Sequence, residues 1–133
     1  MSVAPENKSA LHVIAFLYLV FSHTTDANLG DAELKVIHEV LQKWVPNAPS
    51  AAVTRVIGET AEWYNSISDD AERFAEAERC AHLMGEQMSP GQQTAVLLNL
   101  IDIARADGKI TAAEDAFIAK ITEIFKLGST RAT

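Results

Sequence analysis

Two stretches of the chain carry carboxylates at the same spacing around a short loop. One reads ARADGKITAAE, from Ala104 to Glu114, with Asp107 just before Gly108 and Glu114 seven residues after Asp107. The other reads HTTDANLGDAE, from His23 to Glu33, with Asp26 and Glu33 again seven residues apart. An acid that closes one helix can face an acid in the first turn of the next. Both would then offer hard oxygen donors, suited to Ca²⁺, Mg²⁺ or Mn²⁺. The candidate ligands are Asp26, Glu33, Asp107 and Glu114, with Asn28, Asp31 and Asp102 as nearby oxygen donors. The loop is not an EF-hand, which needs acids at its first, third and fifth positions and a bidentate Glu at its twelfth. Two carboxylates leave most of a coordination sphere to other ligands, so such a site is weak unless the two loops pool their acids.

The same acids also have a purely structural reading. Thr111-Ala112-Ala113-Glu114 has the form of a capping box, in which Glu114 satisfies a free N–H at a helix start. Gly30 to Glu33 is a weaker version, because glycine brings no side chain to the cap. Carboxylates in a first helical turn are favoured by the helix dipole, by about 0.3–1 kcal/mol each. Asp107 before Gly108 is ordinary turn chemistry.

Six helices are expected to position these groups. The first spans about residues 7–24 and is apolar almost all round, the mark of a buried central helix. Its least apolar stripe carries His12 and His23, eleven residues and about 16 Å apart, too far to share a metal. The second runs from near Gly30 to before Pro46, with Leu34, Ile37, Val40, Leu41 and Trp44 at helical spacing. VPNAPS breaks the chain with two prolines. The third covers about residues 50–64, and Ser68 or Asp69 is placed to cap the fourth. In the fourth, Phe74, Ala77, Ala81, Met84 and Met88 face inward, while Glu72, Glu76, Arg79 and Glu86 form a solvated face. Ser89-Pro90-Gly91-Gln92 opens the fifth with a second capping box. Thr111 opens the sixth, with Phe117, Ile118, Ile121, Ile124 and Phe125 inward and residues 128–133 as a frayed polar tail.

Sliding the chain by 81 residues lays Asp26 on Asp107, Glu33 on Glu114, Leu17 on Leu98, Ile37 on Ile118 and Trp44 on Phe125. The pattern predicts an all-α single domain, residues 1–133, of six to seven helices. Within it, two pseudo-symmetric helix–loop–helix repeats would span about residues 7–45 and 89–126.

Composition narrows the function. The chain has 133 residues, enough for one domain with a core of its own. Its net charge is −7, with 11 scattered basic residues and no basic cluster, which argues against nucleic acid as a partner. The lone Cys80 permits no internal disulfide, in keeping with a cytoplasmic protein. The apolar run Leu11 to Phe21 is shorter than the roughly 20 residues a bilayer requires, and no cleavage pattern follows it. No catalytic motif appears: there is no paired Cys/His, no phosphate loop and no HExxH. A helical di-metal enzyme would bring Glu-x-x-His pairs, and none occurs here. The chain reads as a non-enzyme.

LLNLIDIARADGKITAAEDAFIAKI, residues 97–121, resembles the hallmark of the tellurite-resistance TerB-like domains, to which the N-terminal domain of DjlA-type co-chaperones is related. The resemblance rests on Ala106, Asp107, Gly108 and Glu114. The first unit departs from it, since Thr25-Asp26-Ala27 replaces Ala-Asp-Gly while Glu33 is in place. It implies two helical repeats over nearly the whole chain and a cytoplasmic module of stress or tellurite-resistance systems that works with other proteins. It also implies divalent-metal binding through the motif acids. The alternative is an interaction scaffold whose acids only cap helices.

Overall fold

The apolar run from Leu11 to Phe21 becomes the hub of the structure. The computed structural model describes residues 10–25, 31–105 and 111–132, and the surroundings of side chains for 10–22, 35–105 and 111–125. Among the described residues six helices follow one another: α1 (Ala10–Thr25), α2 (Asp31–Trp44), α3 (Ser50–Ser66), α4 (Asp70–Gln87), α5 (Pro90–Arg105) and α6 (Ala112–Ala132). No strand occurs among the described residues. The fold is all-α, as the periodicity predicts. α6 continues past Gly128 to Ala132. Once a helix is nucleated, each added residue gains one hydrogen bond, so a few poor helix formers do not end it.

α1 packs against all five other helices. Phe16, Leu17, Tyr18 and Phe21 are completely buried, because no face of α1 is left to solvent. The Phe16 ring lies 4.1 Å from that of Trp63 on α3, centroid to centroid, and the Phe21 ring 5.2 Å from that of Phe117 on α6. Such aromatic pairs contribute about 0.5–1.5 kcal/mol each beyond their burial.

The remaining helices are locked at their ends. Asp69 caps α4 by accepting from the Ala71 N–H, and Ser89 and Gln92 close their capping box in both directions. The Gln42 amide donates to the carbonyls of Val45 and Ala48, which fixes the proline-bearing turn. Two expectations on α4 change. Phe74 is 37% exposed, at the margin where α4 meets Phe117. Glu76 is largely buried rather than solvated, and its carboxylate accepts from Arg79 Nε at 3.0 Å. A charge on the flank of a packed helix persists there because its partner is three residues away on the same helix.

Candidate functional site

Glu114 is the one motif acid whose side chain the structure places. The Thr111 N–H donates to Glu114 Oε1 at 2.8 Å, and the Glu114 N–H donates to Thr111 Oγ1 at 3.1 Å. The capping box read in the sequence is therefore formed in both directions. Glu114 is only 3% exposed. The box folds the side chain back along the first turn of α6, a helix whose next inward residues, Phe117 and Ile121, belong to the core.

Asp26, Asn28 and Asp107 lie outside the described residues. Glu33 and Asp31 belong to α2 by backbone, but their side chains also lie outside the description. Asp102 is exposed on α5. Among the described residues, no group of three or more His, Cys, Asp or Glu is placed to hold a metal ion.

The most developed polar cluster is one that motif reading passed over. Asn99 Nδ2 donates to Tyr18 Oη at 2.8 Å, and Trp44 makes a second side-chain hydrogen bond to the same phenol. Three elements, α1, α2 and α5, thus meet at one buried oxygen. Burial pushes the Tyr18 phenol well above the usual tyrosine range, and the bonds from Asn99 and Trp44 oppose that shift only in part. The signal for this contact was present in the sequence: Tyr18 and Asn99 are 81 residues apart, the offset that aligns the two acidic loops.

His12 and His38 also find structural partners. His12 is 5% exposed, and its Nε2 pairs with Glu59 Oε1 of α3 at 3.0 Å. His38 Nε2 lies 3.2 Å from Ser50 Oγ and 3.3 Å from the Ser50 carbonyl oxygen, which ties α2 to the first residue of α3. Gln93, 6% exposed, donates to the carbonyls of Gly85 and Met88 and so joins α5 to the open end of α4. Cys80 is buried as a small packing residue.

A family model described as tellurite resistance protein TerB matches residues 10–132. The chain belongs to the TerB family. No curated protein and no solved structure matches the chain. The TerB match takes in all six helices and both acidic loops, so the resemblance read from residues 97–121 extends over the whole bundle. No described helix of this TerB domain is long and apolar enough to cross a membrane.

Proposed function

We propose that this TerB domain is a non-enzymatic, cytoplasmic module of a tellurite-resistance or stress system. It holds a divalent cation on Asp26, Glu33, Asp107 and Glu114 and acts through partner proteins. The observation that supports the cation is the burial of Glu114. A buried carboxylate is costly unless it is paired, hydrogen-bonded or bound to a metal. Glu114 Oε1 accepts one hydrogen bond, from the Thr111 N–H, and none of the ion pairs among the described residues involves it. The donor set fits a hard cation, because all four side chains offer oxygen. When bound, the cation would supply charge neutralisation to a chain whose net charge is −7.

A second reading has an observation of its own. The reciprocal hydrogen bonds of Thr111 and Glu114 already give the carboxylate a structural task, as in a scaffold whose acids only cap helices. Thermal melting and calorimetry with Ca²⁺, Mg²⁺ and Mn²⁺ separate the two. A ligand that binds only the folded state stabilises it by about 2.7 kcal/mol at a hundredfold excess over its dissociation constant. The cation reading expects a metal-dependent rise in Tm, abolished by Asp107→Asn combined with Glu114→Gln. No heat and no shift at millimolar metal would leave the scaffold reading.

A further inference from the structure

A cleft of about 440 Å³ opens between the start of α1, the end of α2, the end of α4 and the first turn of α5. Its volume falls within the range of small-molecule sites, roughly 300–1,000 Å³. Val13, Ile14, Leu83, Met84 and Met88 supply an apolar wall. The Trp44 indole adds a flat face, with its hydrogen bond directed away to Tyr18. The two methionines are unbranched and polarisable, and adapt to ligands of different outline.

Charge decides what the cleft takes. None of the described residues that line it is charged, although the chain carries 29 formally charged side chains, 11 basic and 18 acidic. Among the described residues, an oxyanion would find no cation there, and a cationic ligand no carboxylate. The polar groups of the wall are the amides of Gln87 and Gln92. Gln92 Oε1 is committed to the Ser89 N–H at 3.0 Å, which leaves the Nε2 hydrogens of Gln92 as donors. A ligand that fits this wall is neutral, mainly apolar, and carries a hydrogen-bond acceptor at one end.

We infer that this cleft binds a neutral aliphatic molecule bearing a carbonyl, of the class of medium-chain esters and amides. The space holds the volume of about fifteen water molecules at roughly 30 Å³ each, enough for such a chain and too little for a folded partner. The inference is independent of the cation reading, since no motif acid is among the described residues that line the cleft.

The test is a fluorescence titration of the full chain with the neutral dye phenylnaphthylamine, followed by displacement with methyl decanoate or with decanoate. Wild-type protein should bind the dye saturably. The neutral ester should displace it at least tenfold more effectively than the carboxylate, because no described residue of the wall neutralises an anion. Gln92→Glu preserves the capping box, in which Glu serves as well as Gln, and places a carboxylate in the wall. Leu83→Glu does the same at a side chain already 39% exposed. Each should weaken dye binding tenfold or more while leaving the melting transition cooperative. Absence of saturable binding overturns the inference. So does unchanged affinity in both variants, or equal displacement by ester and carboxylate, either of which places the dye on a nonspecific apolar surface. Metal titration of the same variants should be unaffected, so failure here and failure of the cation reading are told apart.

Discussion

The two acid-bearing halves of the molecule share a spacing but not an environment. In the first half α1 leads into α2, and in the second α5 leads into α6. The packing of these four helices is balanced: α1 touches α2 and α6, α5 touches α6 and α2, and α1 touches α5. Where α1 and α5 meet, Tyr18 bonds to Asn99, its counterpart at the offset of 81. A residue that meets its own counterpart is what a local two-fold axis would bring about. The middle helices break the balance. Both α3 and α4 pack along α1, whereas neither packs extensively along α5. Leu17 is therefore fully buried, and its counterpart Leu98 is 56% exposed. Ile37 is fully buried, and its counterpart Ile118 only partly so. The difference teaches that local apolarity alone did not decide burial. The path of the connecting helices decided it.

Matched substitutions give the largest expected effect and the most direct way to break this comparison. Leu17→Asp places an uncompensated charge in a site with no solvent access. It should unfold the domain, since buried unpaired charge lies in the tail of mutational effects beyond about 4–5 kcal/mol. Leu98→Asp should change stability by no more than about 0.5 kcal/mol, the usual range for surface substitutions. Urea unfolding of both proteins measures the contrast. A cooperatively folded Leu17→Asp protein, or a Leu98→Asp protein that fails to fold, would overturn the assignment of core and surface to the two halves.

The junction of the halves comes next in size. Tyr18→Phe removes the acceptor used by Asn99 and Trp44 and leaves their part-buried donors short of a partner, at a cost of about 1–3 kcal/mol. Asn99→Leu should cost less in the Tyr18→Phe background than in wild type, with a coupling of about 0.5–3 kcal/mol in a double-mutant cycle. Additive effects would mean that the contact does not join the halves. The same group predicts a pH dependence. Burial raises the folded-state pKa of Tyr18, and of Tyr64, where Arg73 opposes it. Groups whose folded pKa is raised contribute stability that is fully present below the unfolded pKa, about 10 for tyrosine, and lost as pH climbs above it. Wild type should lose Tm as pH climbs from about 10 to about 12, and Tyr18→Phe should lose less over the same interval. Equal losses would remove Tyr18 as a source of alkaline instability.

The sequence disclosed the helices, the hub and both capping boxes, because each rests on signals local to one turn or one helix period. Ser89 with Gln92 and Thr111 with Glu114 each declare a helix start within four residues. The path of α3 and α4 is set by contacts between residues far apart in the chain, so the exposure of Leu98 and Phe74 was not legible in their own helices. His12 illustrates the same limit. Its place on the least apolar stripe of α1 was readable, but its partner Glu59 lies 47 residues away. Of the acids, the spacing was legible and the capping role of Glu114 was confirmed. Its burial depended on tertiary packing, which no capping motif encodes.

The smallest expected effect compares the two capping boxes. That of Ser89 and Gln92 is exposed and uses an amide, and that of Thr111 and Glu114 is part-buried and uses a buried carboxylate. The amide box shows that Gln can supply the oxygen that the helix start requires. Glu114→Gln keeps that oxygen and removes a buried charge. It loses the favourable interaction of a carboxylate with the helix dipole, about 0.3–1 kcal/mol, and recovers part of the desolvation cost of burying the charge. The two changes oppose each other, so the net effect without metal should be within about 0.5 kcal/mol. Thr111→Ala removes the reciprocal acceptor and should cost about 1 kcal/mol. Chemical unfolding in a chelator-treated buffer measures both. If Glu114→Gln costs more than Thr111→Ala there, the carboxylate is held by a charged partner beyond the cap, and the box no longer accounts for its burial.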